Sequence, residues 1–537
     1  MSLNKLFLRW IAVFGLVGLF AVFGWGKGHN VFHENPFTPV FPNGGLRLYG
    51  DFVATGDSVL CQNNGAGGCN NAYNGYLYDT NLIYKNEEGM TLNSSSSTLT
   101  LPPDIGSNEI EWAGLYWQGH IADQNANRYS TSALVQNRGN VTFKLPDGTE
   151  QNITADKVWY HDFWGDGSGS RGGFRSFYQG FKDVTSLVKS HLVNGATQTF
   201  GVGNLKATHG RDWFSYFYLG QGAEYNGLKI GFWGNWSLIV VYKHNPATMP
   251  SGTTMKNINV FNGFDAMFPL PINGYETFDV EIPVSGFLTP KSGVVNAKML
   301  FYASGGEKRI NRDAFYIQNA NNAYKYTAVS NTANPANNPF NGSVSNFGIP
   351  IDATINYYPG FDLDVYNVSN YMTNDQTSTA LKLEAIFKSN NGDQSTPGAI
   401  AFSADLYTPS FCYDYTLKQD GRYLSIDRTD PIARINQQIS SSPIELLVYL
   451  KNKEADILAN GISIKADVNA TRFDYAMTNP MYVSNPNGSS LIDRGKPYSS
   501  TNCFYSIGSG NGVSDAGCVA LIENDTSTTN DDIRRIR

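Results

Sequence analysis

The chain is patterned in short runs of alternating or continuous apolar residues, separated by clusters rich in glycine, asparagine, aspartate and serine. Alternation with a period of two is typical of β-strands with one buried face, and the clusters are typical of turns. The runs predict strands at residues 46–52, 97–101, 109–117, 141–145, 157–160, 197–202 and 228–242. The apolar end of the last run does not alternate, which predicts a strand buried on both faces at 237–242. One short helix is predicted at 183–192, where apolar residues recur at helical spacing.

The order of these elements predicts an all-β chain of tandem antiparallel β-sandwiches, of the jelly-roll or Ig-like kind. We expect a linker or edge strand at residues 27–45, a first sandwich at 46–250 and a second at 251–405. Residues 406–537 are expected to form a smaller Ig-like sandwich. Its last alternating run begins close to the C-terminus, which favours a chain that is part of a longer protein or is trimmed within this domain.

Two sequence passages echo each other at an offset of about 180 residues. Residues 113–119 (AGLYWQG) and 180–188 (GFKDVTSLV) correspond to 297–303 (AKMLFYA) and 360–368 (GFDLDVYNV), and an alternating strand follows in both halves. One explanation is a pair of sandwiches with similar topology. The other is coincidence between common strand and turn patterns.

The N-terminus has the pattern of an export signal. Lys5 and Arg9 precede an apolar run at residues 10–25, and small residues precede a cleavage position after Gly26. Residues 1–26 are therefore expected to be a signal peptide, with an uncleaved membrane anchor as the alternative, and the run is short for a transmembrane helix. The protein is expected to be secreted, on the cell surface or in the outer envelope, and to meet the membrane only through this segment if it is uncleaved.

Composition agrees with an exported β protein. Charged residues make up 16% and aromatic residues 13% of the chain, and the net charge of −7 argues against nucleic acid as a partner. Two close cysteine pairs span turn-rich loops and predict disulfides in an oxidising compartment, Cys61 with Cys69 and Cys503 with Cys518. Cys412 is left over.

Three passages together resemble a known family: residues 109–117 (EIEWAGLYW), 181–188 (FKDVTSLV) and 236–242 (WSLIVVY) followed by 256–264 (KNINVFNGF). They are similar to the uncharacterised N-terminal β-region of large bacterial cell-surface, adhesin-like proteins. In that family an Ig-like, prealbumin-like repeat of unknown function commonly follows, and residues from about 405 onward resemble the start of one. The resemblance implies a surface protein and supplies no catalytic residues.

Candidate ligand sites lie in one glycine-rich stretch at residues 160–170 and in a loop downstream that carries Asp212 and Trp213. Hard oxygen ligands at even spacings could hold calcium, with a solvated turn as the alternative; they are Asp162, Asp166, Ser168 and Ser170. Aromatic rings beside carboxylates could form a sugar-binding platform, with ordinary packing at the sandwich end as the alternative; they are Tyr160, Trp164, Asp212 and Trp213. Asn152 and Asn469 each follow an acidic residue by two positions in an Asn-x-Thr triplet and are candidate glycosylation sites.

The sequence lacks the common fixed-spacing motifs of hydrolases, metalloproteases and nucleotide-binding enzymes. His120, His161 and His209 lie in the first sandwich and could share a metal, although scattered structural histidines are the simpler explanation. We therefore expect a structural or adhesive protein rather than an enzyme, with calcium as the sole candidate cofactor and an extracellular protein or glycan surface as partner. The alternative is a secreted carbohydrate-active enzyme or carbohydrate-binding protein on the same scaffold.

Overall fold

The structure is a computed structural model. It describes residues 36–408 except 71–75, 87–89, 91–92, 124–132, 167–171, 213–215, 219–223, 227–229, 268–274, 321–325 and 389–393. Beyond residue 408 it describes 411–424, 426–427, 434–435, 444–452, 462–466, 482–484, 491–493, 504–507, 518–522 and 534–536. The predicted signal peptide lies outside the described residues. Contacts divide the chain into two compact units, Met1–Tyr407 and Thr408–Arg537.

Strands dominate both units, and the all-β prediction is confirmed. In the first half of unit 1 the strands are β1 (Thr38–Pro39), β2 (Leu46–Leu48), β3 (Gly50–Ser58), β4 (Leu60–Gln62), β5 (Leu82–Tyr84), β6 (Ser95–Thr100), β7 (Ile110–Asp123), β8 (Asn140–Lys144), β9 (Glu150–Thr154), β10 (Lys157–Asp166), β11 (Gly172–Asp183), β12 (Thr197–Gly203), β13 (Tyr216–Tyr218), β14 (Glu224–Asn226) and β15 (Gly234–Lys243).

The second half of unit 1 continues with β16 (Lys256–Asn262), β17 (Tyr275–Ser285), β18 (Ala297–Ser304), β19 (Asp313–Gln318), β20 (Tyr326–Ala328), β21 (Val344–Asn346), β22 (Ile349–Pro350), β23 (Phe361–Asn367), β24 (Ser378–Lys388) and β25 (Thr396–Asp405). The described helices are short: α-helices Ala133–Gln136 and Thr185–His191, and 3-10 turns Leu77–Asp79, Ser107–Glu109 and Ser369–Tyr371. In the described part of the chain, no helix has the length and apolar character needed to cross a membrane.

Unit 2 contains β26 (Phe411–Gln419), β27 (Arg422–Leu424), β28 (Ile426–Asp427), β29 (Arg434–Ile435), β30 (Ile444–Asn452), β31 (Ile462–Ala466), β32 (Tyr482–Ser484), β33 (Leu491–Asp493), β34 (Phe504–Ile507), β35 (Cys518–Ile522) and β36 (Arg534–Ile536). One sheet runs in the order β27-β26-β30-β36-β32-β33, and a second runs β31-β35-β34.

The two halves of unit 1 repeat one strand order. The first has an inner sheet β10-β11-β7-β15-β3 and an outer sheet β6-β12-β8-β9. The second has an inner sheet containing β21-β23-β18-β25-β16 and an outer sheet β17-β24-β19-β20. Each strand of the inner and outer sheet named for one half therefore has a counterpart in the other, and the echo in the sequence reflects two sandwiches of the same topology. The edge strand differs, because β10 pairs antiparallel with β11 whereas β21 pairs parallel with β23.

A matching corner in each repeat fixes this correspondence. After β11, the N–H of Val184 donates to the carbonyl of Ala113, and the Thr185 hydroxyl accepts from the N–H of Ala113 at 2.9 Å. After β23, Val368 donates to Ala297, and the Ser369 hydroxyl accepts from the N–H of Ala297 at 3.0 Å. The helical turns that follow β11 and β23 are held to the central strands β7 and β18 by these bonds.

The two inner sheets share an apolar interior. Side chains of one face of each inner sheet are buried together, among them Phe52, Tyr116, Ile239, Val241, Val260, Leu300, Tyr302, Leu363 and Ala401. The opposite faces pack against the outer sheets, which buries Trp117 and Phe143 in the first repeat and Phe301 and Phe315 in the second. Unit 1 is therefore layered outer, inner, inner, outer. Burying each such large side chain stabilises the fold by about 1.5–3 kcal/mol.

We predict that Thr185→Val and Ser369→Ala each lower the free energy of unfolding by about 1–2 kcal/mol, because each change leaves a main-chain N–H without its hydroxyl acceptor. Chemical denaturation of the purified variants measures the change. The exposed neighbour Ser186 provides the control Ser186→Ala, expected within about 0.5 kcal/mol of wild type. Equal stability of all three variants would contradict the structural role of the corners.

Candidate functional site at the junction of the two repeats

Beside the C-terminal part of β7, after Tyr116, the space between the inner sheets is lined by polar side chains. The Gln118 side-chain amide donates to Oε1 of Gln179 at 2.9 Å, and Gln179 in turn donates to the carbonyls of Gly263 and Gly398. The hydroxyl of Thr396 donates to Oε1 of Gln118 at 2.8 Å. These bonds tie the inner sheet of the first repeat to that of the second, and they satisfy buried amides that would otherwise destabilise the fold.

A buried ion pair extends this network. Arg175 on β11 donates to both oxygens of Asp212, at 2.9 and 3.3 Å, and Nε2 of His120 lies 3.2 Å from the same guanidinium. Burial lowers the pKa of His120 well below its ordinary value, and Arg175 lowers it further. His120 is therefore neutral, and its Nδ1–H donates to the carbonyl of Gly231 at 2.6 Å. Asp212 accepts from the N–H groups of Ile230 and Gly231.

Gly231 connects this network to the surface. Its φ of +75° places it in the left-handed region, and a Cβ there would lie 2.5 Å from Cγ of Leu77. Leu77 is fully buried and also packs against Gly360, the residue before β23 of the second repeat. The Leu77 side chain thus fills the space between the two repeats, and glycine is required because any larger residue at position 231 would occupy that space.

The anchored Leu77 positions a group of polar and aromatic side chains that we call the junction site: Tyr76, Tyr78, Asp79, Glu307 and Arg309. The rings of Tyr76 and Tyr78 stack with centroids 5.2 Å apart and planes 14° from parallel. Tyr76 is 37% exposed, and the Arg309 guanidinium lies 6.0 Å from the centre of its ring. Asp79 and Arg309 are exposed. The site combines aromatic faces with charged hydrogen-bonding groups.

Glu307 lies buried beneath these exposed groups. Burial raises the pKa of Glu307 to about 8 against the lowering effect of a hydrogen bond from the Leu77 N–H. The charge of Asp79 raises this pKa further, and a hydrogen bond from the Gln394 side chain lowers it slightly. The pKa of Tyr78 is raised by burial and by the charges of Asp79 and Glu307. Glu307 therefore holds a proton near neutral pH. Strongly perturbed carboxyl groups of this kind concentrate at functional sites.

The residues of the predicted calcium and sugar sites lie elsewhere and are divided among different contacts. Asp162 pairs with Arg138 at 2.8 Å, and the same guanidinium lies 3.7 Å from the ring centre of Tyr160, which is 50% exposed. Asp212 instead contacts Arg175 and is buried, so its carboxylate is not presented to solvent. Asp166 and Trp164 lie in strand β10, with side chains outside the described residues, and Ser168, Ser170 and Trp213 lie wholly outside them.

Among the predicted covalent features, Cys61 and Cys69 form a disulfide, as expected. Cys503 lies outside the described residues, as does the side chain of Cys518 at the start of β35. Asn152 is exposed on the edge strand β9, and its Oδ1 accepts from the Thr142 hydroxyl at 3.3 Å. Asn469 falls outside the described residues. Glycosylation of both sites stays a prediction.

The three histidines of the first repeat have separate ring contacts. His120 packs among Phe177, Phe232 and Trp233, His161 stacks on Phe264, and the exposed His209 meets the ring of Tyr84. In the described part of the structure, no three or more His, Cys, Asp or Glu side chains are placed to hold a metal ion.

No pattern in the sequence points to the junction site, because its residues come from separate loops of the two repeats. Tyr76, Tyr78 and Asp79 precede β5, whereas Glu307 and Arg309 follow β18. The repeat does not reveal them either, because the first loop lies between β3 and β6 whereas the second lies between β18 and β19, and these are not counterpart positions in the two repeats. Neither loop carries a fixed-spacing motif.

No protein-family model matches this chain, and no curated protein matches it. Among solved structures, a search finds N-glycanase F (PNGase F), at 10% identity and TM-score 0.14, covering 66% of this chain and 95% of that one. It also finds PNGF-II, at 10% identity and TM-score 0.17, covering 70% of this chain and 66% of that one. The plant receptor-like kinase FER overlaps with TM-score 0.14, at 10% identity, over 66% of this chain and 96% of its own. TM-scores this low carry no argument about function.

We predict that stability falls as pH rises from 5 to 9, and that Glu307→Gln reduces the slope. The pKa of Glu307 is raised from 4.5 in the unfolded chain to about 8 in the folded protein. Its stabilising effect is therefore complete below pH 4.5 and is lost as pH approaches 8, by up to roughly 1.4 kcal/mol for each pH unit. Thermal unfolding in EDTA at several pH values measures the slope.

The exposed Glu150 on β9 supplies the control for this experiment, because Glu150→Gln removes a carboxyl that is not buried. The control is expected to keep the wild-type slope. A slope unchanged by Glu307→Gln would show that Glu307 titrates normally in the folded protein.

Proposed function

We propose that this chain is an exported bacterial protein of the cell surface or envelope, that it serves as an adhesive module, and that it binds glycans at the junction site. The sequence supports export through its leader-like N-terminus. The Cys61–Cys69 disulfide supports an oxidising compartment, because such bonds persist there and are rare in the cytosol. The layered sandwiches provide a rigid body whose end loops are available for contact.

The observation that carries glycan binding is the stacked Tyr76–Tyr78 pair, with Tyr76 exposed and Tyr78 half-buried, beside Arg309 and Asp79. Aromatic rings pack against the apolar faces of sugar rings, and charged side chains hydrogen-bond to hydroxyl groups. Leu77 lies between the two tyrosines in sequence and is anchored in the junction, so the rings are held in place before a ligand arrives. Less conformational entropy is then lost on binding.

A second candidate function, glycoside hydrolysis, rests on the two carboxyl groups of the junction site, Glu307 and Asp79. Hydrolysis requires a protonated acid and a second carboxylate, and Glu307 with Asp79 has this chemistry. Glu307 is, however, fully buried beneath Leu77, so a substrate would reach it after this segment moves. Binding without turnover needs no such movement, and for this reason we place it first.

We predict that the purified protein binds a subset of glycans on an array and that Tyr76→Ala weakens this binding at least tenfold, because the stacking face is removed. Tyr160→Ala is the matched control, since Tyr160 is also an exposed tyrosine with an arginine against its ring. The control should bind like wild type. Binding lost in Tyr160→Ala and kept in Tyr76→Ala would move the site to β10, and no binding at all would refute the proposal.

The same glycans, incubated with the protein and assayed for new reducing ends, separate the two candidate functions. The adhesive module leaves them intact. Cleavage that disappears in Glu307→Gln while binding remains would establish the hydrolase instead.

A further inference from the structure

Comparison of the two repeats identifies a second polar cluster, next to Glu307 of the junction site but built from other side chains. The matching corners at Val184 and Val368 align β11 with β23, so Tyr178 corresponds to Asp362 and Gly180 corresponds to Asp364. The strand registers agree, since Gly180 pairs with Trp117 and Asp364 pairs with Phe301, the counterpart of Trp117. Positions that are uncharged in the core of the first repeat are therefore carboxyl groups in the second.

These carboxyl groups lie deep between the sheets of the second repeat. Asp362, Asp364 and Tyr366 share one face of β23, and Asp313 begins β19 of the outer sheet. All four side chains are at most 1% exposed. Asn338, from the segment between β20 and β21, donates to the carbonyls of Glu307 and Lys308, which directly follow Gly306. Together with Asn338 these side chains form what we call the acidic cluster.

Several oxygens of the acidic cluster accept no hydrogen bond from the described residues. They are Oδ1 of Asp313, Oδ2 of Asp362, Oδ1 of Asn338 and the hydroxyl of Tyr366. The remaining carboxylate oxygens are occupied: Oδ2 of Asp313 accepts from the N–H of Phe340, and Oδ1 of Asp362 accepts from Gly342 and Ser343. A buried oxygen with no donor is costly, and a set of them calls for a bound ion or water.

The backbone at Gly306 lies close to one of these oxygens, Oδ2 of Asp362, and to the carbonyl oxygen of Phe340. A Cβ at Gly306 would lie 2.3 Å from the carbonyl oxygen of Phe340 and 2.7 Å from Oδ2 of Asp362. Two oxygens therefore approach one point beside a residue that has no side chain. Carboxylate, amide and main-chain carbonyl oxygens are the ligand set that calcium accepts.

The electrostatics of the acidic cluster also favour a bound cation. Burial raises the pKa of Asp362 well above its ordinary value, and the charges of Asp364 and Asp313 raise it further. Burial raises the pKa of Asp313 well above its ordinary value and that of Asp364 to about 7, and the groups that lower either pKa are uncharged hydrogen-bond donors. The cluster concentrates acidic groups without a lysine, arginine or histidine among the described groups that shift these pKa values.

We propose that the acidic cluster of the second repeat binds a calcium-type divalent cation, held by Asp313, Asp362, Asn338 and the carbonyl of Phe340. The bound ion joins β19, β23 and the segment before β21, and so fixes the outer sheet of this repeat to the inner one. Two carboxylates neutralise the ion, and uncharged oxygens complete its coordination. This assignment differs from the glycine-rich stretch that the sequence suggested for calcium.

Isothermal titration of the full-length, EDTA-treated protein with calcium chloride tests the proposal, together with thermal unfolding in EDTA and in calcium. We expect binding, and a rise in Tm of about 3 °C or more at saturating calcium. Asp313→Asn and Asp362→Asn should abolish both effects, and Asp162→Asn should leave them unchanged. Each Asn variant replaces a carboxyl with an amide of similar size, so folding in EDTA is expected and is checked by circular dichroism.

Tyr366→Phe keeps the packed ring and removes the hydroxyl, so it reports on the cluster even if the aspartate variants do not fold. We expect about a threefold loss of calcium affinity, smaller than in the aspartate variants, because this hydroxyl is a neighbouring oxygen of the cluster and not one of the proposed ligands. Absence of calcium binding by wild type, retention of binding in both aspartate variants, or its loss in Asp162→Asn would each overturn the proposal. The junction site takes no part in this outcome, because glycan binding is read by a different variant.

Discussion

Unit 1 depends on one constraint: both faces of each inner sheet must be covered, one by an outer sheet and the other by the inner sheet of the other repeat. In β7 nearly every side chain between Ile110 and Ala122 is buried, because one face meets the outer sheet and the other meets the second repeat. Apolar residues satisfy most of this interior. Where polar residues occur, as at Gln118 and Gln179, each amide must find a partner across the junction, and the two repeats become linked by hydrogen bonds as well as by packing.

The buried hydrogen-bond network between the repeats also positions the exposed residues of the junction site. The Arg175–Asp212 pair holds the backbone at Gly231, and Gly231 leaves the space that Leu77 fills. Leu77 in turn determines where Tyr76 and Tyr78 emerge. The rigidity of the Tyr76–Tyr78 pair therefore originates in the core, and substitutions in the buried network would alter the positions of these two rings.

Much of the secondary structure could be predicted from the sequence, because a period of two reports directly which residues face a core. The run at 197–202 matches β12, and the apolar end of the run at 228–242 lies in the doubly buried β15. The pairing of the two inner sheets was not predictable, since alternation shows that a face is buried and not what buries it. For the same reason the proximity of Glu307 and Asp79 could not be predicted, since it depends on how the two repeats pack together. Asp212 illustrates the converse, because a carboxylate beside aromatic residues in sequence can belong to the core.

Buried carboxyl groups have different surroundings in the two repeats. The difference indicates which of them belong to the shared fold and which serve a separate function. In the first repeat the Asp212 carboxylate faces Arg175 and two main-chain N–H groups, so its burial is compensated by an opposite charge and by hydrogen bonds. In the second repeat Asp313, Asp362 and Asp364 are grouped where the first repeat has Tyr178 and Gly180 at the counterpart positions of β23. A fold that is already built from uncharged residues in one copy does not require carboxyl groups in the other. Their burial reduces stability unless a proton or a cation accompanies them, so the acidic cluster is better understood as a property acquired by the second repeat than as part of the shared architecture.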